Sequence, residues 1–252
     1  MRFKNAAVLV TGGTRGIGAA CVRAFLNEGA RVAVNGRTDT SVAVALAEYN
    51  GNENAVAAPG DVSTVEGCQA AVAAALAAFG RLDVLVNNAG VFFRGTIGET
   101  DEVAWDAVMN ANVKSVQFCT QAALPALRAT KGNIVNIASE SGINGYPETT
   151  AYCASKGAVI SLTRAMAMEL APDIRVNALC PGVVETDMAR AGFAVDGDEE
   201  QGLAYQRSTY PLQRIGTVEE TAACVLFLAS EDAGFVNGAA LPMEGGATVG
   251  NF

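Results

Sequence analysis

The stretch Ala6-Ala7-Val8-Leu9-Val10-Thr11-Gly12-Gly13-Thr14-Arg15-Gly16-Ile17-Gly18 decides the fold. Residues 6–11 form an apolar run of strand length that stops at a glycine-rich turn. Beyond it, Ile17, Cys21, Ala24 and Phe25 recur at i, i+4, i+7 and i+8, the spacing of one helix face. A strand that turns through glycines into a helix lets a phosphate approach the backbone. The helix then presents free N–H groups and the positive end of its dipole. The spacing is TGxxxGxG rather than GxGxxG, so the turn draws its meaning from its place between first strand and first helix.

The alternation continues outward. Gly29 ends the first helix, and residues 31–35 read as the second strand. Further strands are expected at residues 55–58, 82–86, 132–138, 174–179 and 239–243. Helices are expected at residues 39–49, 101–130 with a kink at Pro125, 150–170 and 217–230. Ser63 is the expected cap of another, an Ala-rich helix that ends at Gly80. Residues 181–216 read as irregular, with 183–212 a mobile substrate-loop segment and the acidic stretch 196–200 a solvated loop. Continuous apolar strands alternating with helices imply an α/β fold. It is a doubly wound, Rossmann-like parallel sheet of about seven strands with helices on both faces. No linker divides the chain, so residues 1–252 are expected to form a single dinucleotide-binding and catalytic domain.

Composition narrows the chemistry. Half the residues are hydrophobic and 17% are charged, which suits a large core. The net charge of −9 disfavours nucleic acid and anionic membrane surfaces as partners. The first apolar run is too short for a signal segment or a membrane span, and a cytoplasmic protein is expected. The six cysteines include no CxxC pair and read as buried reduced thiols. There is no histidine, which excludes Ser-His-Asp and Cys-His catalysis and leaves no metal site expected. Acid–base work falls to Tyr, Lys, Cys or a carboxylate.

In doubly wound sheets ligands lie outside the carboxyl ends of the strands, so the residues there carry the function. Strand 2 ends in Asn35-Gly36-Arg37, with no acid between residues 30 and 38. An acid there would bind a ribose 2′-hydroxyl; Arg37, with Arg15 in the glycine turn, suits a 2′-phosphate. NADP(H) is therefore favoured over NAD(H). Strand 3 is followed by Asp61-Val62, where Asp61 is either an acceptor for an adenine amino group or a helix cap. Strand 4 runs into Asn87-Asn88-Ala89-Gly90, two bonding amides and a space for a flat ring. Strand 5 ends at Ser139, and thirteen residues on is Tyr152, with Lys156 at i+4 on the same helix face. An ammonium beside a phenol lowers its pKa toward neutrality and fits it for general acid–base work.

Taken in order, these residues resemble the short-chain dehydrogenase/reductase family over nearly the whole chain. The marks are Thr11-Gly12-x-x-x-Gly16-x-Gly18, Asp61-Val62, Asn87-Asn88-Ala89-Gly90, Asn112, Ser139, Tyr152-x-x-x-Lys156 and Pro181-Gly182 followed by Thr186. The resemblance implies that Tyr152 exchanges a proton with the substrate oxygen and Ser139 holds that oxygen. Lys156 would bind the nicotinamide ribose and lower the Tyr152 pKa, and Asn112 would fix a water linking Lys156 to solvent. The implied cofactor site adds Gly12, Gly16 and Ile17 at the pyrophosphate, Thr14 and Gly18 in the same turn, and Arg15 with Arg37 in the pattern of NADP-preferring members. It places Asp61 and Val62 at adenine, and Asn88, Ala89 and Gly90 beside the cofactor. Pro181, Gly182 and Val183 would lie at the carboxamide end, and Thr186 at the phosphate or the carboxamide.

Glu140, Asn144 and Tyr146 are candidate substrate contacts. The implied activity is hydride transfer between NADP(H) and a small ketone or secondary alcohol, by a homo-oligomer, either dimer or tetramer. Two alternatives stand beside it. One is reduction of 3-oxoacyl groups on a carrier protein, whose enzymes often carry Arg where this chain has Met168. The other is a catalytically silent dinucleotide-binding regulator.

Overall fold

The structure is a computed structural model and describes residues 1–49 and 51–250. The first apolar run is strand β1 (Ala7–Val10), buried along its length. It pairs in parallel with β2 (Arg31–Gly36) on one side and β4 (Val84–Asn87) on the other. With β3 (Ala55–Pro59), β5 (Asn133–Ile137), β6 (Arg175–Pro181) and β7 (Ala240–Met243) they form one seven-stranded sheet. Its order is β3-β2-β1-β4-β5-β6-β7, all parallel. The winding reverses between β1 and β4, which opens a crevice at their carboxyl ends.

Alternation along β1 explains the two layers of helices. Val8 and Val10 join a core with Val22 and Phe25 of helix α1 (Gly16–Asn27) and Val225 and Leu226 of α9 (Val218–Ala229). Leu9 points the other way. It joins Val72 of α3 (Val65–Phe79), Leu127 of α5 (Ser115–Thr130) and Val159 of α6 (Thr150–Leu170). A strand buried on both faces has no polar residue to alternate with, hence its continuous apolar reading. Helix α2 (Asp39–Ala47) begins at a reciprocal capping box between Thr38 and Ser41. Among the described residues no helix is long and apolar enough to cross a membrane.

Three expectations are corrected. The single helix over residues 101–130 is two, α4 (Glu102–Met109) and α5, joined by a π-helical turn, Asn110–Lys114. The break falls at Asn112 and not at Pro125, which lies inside α5. Asn112 is wholly buried and spends its side chain on neighbouring elements, which favours the inserted residue of a π turn. Secondly, α3 is capped by Thr64, which accepts from Gly67 N–H, while Ser63 folds back to donate to Asp61. Thirdly, the segment expected to be irregular holds two helices, α7 (Asp187–Phe193) and α8 (Glu199–Thr209). Thr186 and Asp198 cap them by accepting from Ala189 and Gln201 N–H, each bond worth roughly 0.5–2 kcal/mol. The acids at 198–200 are thus a cap and a first turn, favoured by the helix dipole.

Candidate active site

The glycine turn is dictated by contact. A Cβ on Gly18 would stand 2.2 Å from the Gly12 carbonyl, and one on Gly12 would press the Ala89 backbone at 3.0 Å. Gly12 and Gly16 also take φ of 61° and 54°, where side chains are strained. The turn is held from below by buried Asn35. Its Oδ1 accepts from Gly12 N–H at 3.1 Å, and its backbone carbonyl accepts from Gly13 N–H at 2.8 Å. From the other side, Asn88 Nδ2 donates to the carbonyls of Thr11 and Gly12, and Thr11 Oγ1 accepts from Asn88 and Ala89 N–H.

Helix α1 begins at Arg15 with no side-chain cap and no acid in its first turn. Its N–H groups therefore face the crevice, and this cradle fits a nucleotide pyrophosphate. Thr14 sits against Gly36, where a Cβ would meet its methyl at 2.6 Å, so the end of β2 closes on the turn. Arg15 and Arg37 are exposed, and among the described residues neither joins a salt bridge. Asp61 Oδ1 accepts from Ser63 N–H and hydroxyl, so its side chain does not cap α3. Val62 is buried in the core and its carbonyl accepts from Cys68, which leaves little of it to face a base.

The residues expected to do chemistry come together at the ends of β4 and β5. Lys156, 4% exposed, donates to the Ile137 carbonyl at 2.9 Å, and its ammonium stands 5.7 Å from the Tyr152 ring centre. Gly90 lies between Lys156 and Asn112. A Cβ there would be 3.0 Å from Asn112 Oδ1 and 3.6 Å from Lys156 Nζ. Asn112 Oδ1 accepts from Val91 N–H at 2.7 Å, while its Nδ2 donates to Val91 O and Ser155 Oγ at 3.0 Å each. Ser155 passes the link on by donating to the Tyr152 carbonyl at 2.7 Å. The Asn112 side chain is thus fully engaged by protein groups. Ser139 accepts from Ser141 N–H and donates weakly, at 3.5 Å, to the Pro181 carbonyl.

The lowered Tyr152 pKa is corrected. Burial pushes the phenol up to about 12, against the opposing pull of its hydrogen bond with Ser139. Burial also pushes Lys156 down to about 8, and its ammonium serves Ile137 rather than the phenol. In the chain alone, desolvation dominates.

A second polar group lies behind Ser139. Glu140, 6% exposed, accepts from the Tyr210 hydroxyl at 2.5 Å, and that hydroxyl accepts from Val183 N–H at 2.7 Å. Tyr146 adjoins Glu140, and the nearby negative carboxylate helps burial push its phenol up to about 12. Asn144 is exposed at the turn before it. Pro181, Gly182 and Val183 run from Ser139 toward the glycine turn, where the Thr186 methyl stands 3.3 Å from a Cβ placed on Gly16. Phe92, Phe193, Ser155 and Tyr210 are absent from the sequence expectations. Phe92 packs edge-on to Tyr152, with centres 4.9 Å apart at 81°. Phe193 reaches Phe92 from α7 at 5.4 Å. No local spacing connects these residues; the only signal was that Ser155 sits between Tyr152 and Lys156.

With this geometry in hand, known proteins can be compared. The family described as "Enoyl-(Acyl carrier protein) reductase" matches residues 12–248. The chain belongs to the short-chain dehydrogenase/reductase family. It is 40% identical to meso-2,3-butanediol dehydrogenase of Serratia marcescens, covering 98% of this chain and 96% of that one. It is 40% identical to 2-(S)-hydroxypropyl-CoM dehydrogenase 3 of Xanthobacter autotrophicus (strain ATCC BAA-1158 / Py2), covering 98% of each. A solved structure of levodione reductase superposes with a TM-score of 0.94 at 30% identity, covering 98% of this chain and 99% of that one. This family member is an oxidoreductase of alcohol and carbonyl groups that uses a nicotinamide nucleotide.

Glu140 gives the site a pH signature. Burial, with the Glu244 charge adding to it and the Tyr210 bond opposing, raises its carboxyl from the ordinary 4.5 to about 7. The folded chain then holds a proton that the unfolded chain loses, so this contribution is complete below pH ~4.5 and gone above ~7. Its size is about 3 kcal/mol as an upper figure. Wild type is expected to lose thermal stability between pH 5 and 8, and Glu140→Gln to lose markedly less. Parallel melting curves at the two pH values check this; equal slopes would remove Glu140 as the cause.

Proposed function

We propose that the chain transfers hydride between NADP(H) and a ketone or secondary alcohol, with Tyr152 as general acid and base. The observation that carries the reading is the grouping of Tyr152, Ser139, Lys156 and Asn112 at one end of a glycine cradle fit for a dinucleotide. The bound nicotinamide supplies or accepts the hydride. In reduction, Ser139 holds the carbonyl oxygen and the neutral Tyr152 phenol protonates it. A phenol raised to about 12 is protonated at neutrality, which is the form that reduction needs, whereas oxidation needs the phenolate. Lys156, one turn away, binds the ribose and carries positive charge toward the phenol. Asn112 serves by fixing the loop at Val91 and the helix at Ser155.

Gly12, Thr14, Gly16, Ile17 and Gly18 line the pyrophosphate, and Asp61 and the Val62 backbone adjoin adenine. Asn88, Ala89 and Gly90 flank the cofactor, and Pro181, Gly182, Val183 and Thr186 adjoin its carboxamide end. Exposed Arg15 and Arg37 take the 2′-phosphate, since no acid occupies the end of β2. Glu140 and Tyr146 form the polar wall of the substrate site. The names of relatives that act on a butanediol, a hydroxypropyl group and levodione support a small alcohol or ketone as the substrate class. We also infer a homo-oligomer paired through α4, α5 and α6, whose outer surfaces expose Val103, Trp105 and Met168.

Tyr152→Phe is expected to lower turnover by at least about a hundredfold and leave cofactor binding nearly intact. Absorbance of the reduced cofactor and a binding titration measure the two, and retained turnover would end the tyrosine assignment. Arg37→Asp is expected to weaken NADPH at least about tenfold more than NADH in direct titrations. An equal loss of both would count against the 2′-phosphate role. Sedimentation at micromolar concentration is expected to give a dimer or tetramer; a lone monomer would refute the pairing.

A further inference from the structure

The substrate oxygen, on the reading above, lies between Tyr152 and Ser139, so groups on the reacting carbon must rest on what surrounds the Tyr152 ring. On one side the surroundings are polar and already bonded to one another. Glu140 accepts from Tyr210, which accepts from Val183. Other surroundings of the ring are aromatic. Phe92 meets the Tyr152 ring edge-to-face at 4.9 Å, and Phe193 follows at 5.4 Å and 40°. Both rings are only partly buried, so they border open space.

Their positions are fixed from behind. Phe92 follows Val91, which Asn112 clamps at both its N–H and its carbonyl. The backbone of Gly192 lies on the Phe92 ring so closely that a Cβ would stand 2.7 Å from it. Phe193 ends α7, and Gly202 of α8 presses on its carbonyl, where a Cβ would reach 1.9 Å. Two rigid rings held this way accept a third in offset or edge contact. They offer no hydrogen bond to a hydroxyl that loses its water there.

We propose that Phe92 and Phe193 form the apolar wall of the substrate site. They select secondary alcohols and ketones whose reacting carbon bears a flat or alicyclic hydrocarbon group. The proposal rests on the oxidoreductase reading and names its substrate class.

The test compares 1-phenylethanol, 2-butanol and 2,3-butanediol as substrates of the enzyme with either cofactor. Wild type is expected to prefer 1-phenylethanol to 2,3-butanediol by at least about tenfold in kcat/KM. In Phe193→Ala the ratio of 1-phenylethanol to 2-butanol is expected to fall about tenfold, mainly through KM, and Phe193→Leu to fall between. No ring preference in wild type, or an equal loss for every substrate in Phe193→Ala, overturns the proposal. Calorimetry of acetophenone and 2-butanone against the cofactor-loaded protein separates the two levels. If no alcohol or ketone turns over, the oxidoreductase reading fails. Ring-selective binding that Phe193→Ala removes still upholds the wall, and equal binding of both ketones by wild type overturns it.

Discussion

One buried amide holds the site in register. Asn112 is wholly buried, and its three hydrogen bonds tie the loop after β4 to the helix that carries Tyr152 and Lys156. A buried amide left unpaired would cost roughly 1–3 kcal/mol, so each of the three bonds offsets the burial of a polar group. The π turn that delivers Asn112 also interrupts what would be one long helix. Phe92 stands two residues past Gly90 on the clamped loop, and Ser155 extends the clamp to the Tyr152 carbonyl. Phe92, the phenol and the ammonium sit on segments that meet at the same side chain.

Two electrostatic tendencies meet beyond that clamp. Burial drives Tyr152 and Glu140 toward their protonated forms and Lys156 toward its neutral one. All three shifts favour groups without charge in a dry crevice. While the chain stands alone the Tyr152 phenol therefore keeps its proton more firmly than an ordinary tyrosine does.

Much of this was legible in the order of residues. Strands buried on both faces write themselves as unbroken apolar runs, and glycines that no Cβ could replace mark the turn at β1. Tyr152 and Lys156 share a helix face because four residues make about one turn. What stayed hidden depended on contacts between distant segments. Thr64 rather than Ser63 caps α3 because Ser63 is drawn to Asp61, a choice that propensity cannot rank. The helices α7 and α8 were obscured by Gly192, Gly197 and Gly202. Two of these serve close approach, to Phe92 and to the Phe193 carbonyl, and Gly197 serves a turn at φ 85°. Desolvation of Tyr152 is a property of the packed site and has no local signature at all.

The strand order has a consequence for how the molecule comes into being. β1 is central yet first in the sequence, and its partner β4 begins 74 residues after β1 ends, at Val84 against Val10. Asn88 meets Thr11 across 77 positions and Tyr210 meets Glu140 across 70. Parallel pairing of this kind closes large loops before any contact repays their entropy, which makes for slow, non-local assembly. A growing polypeptide can pair β1 with β2 early, but the crevice between β1 and β4 closes only once the chain has been made beyond Val84.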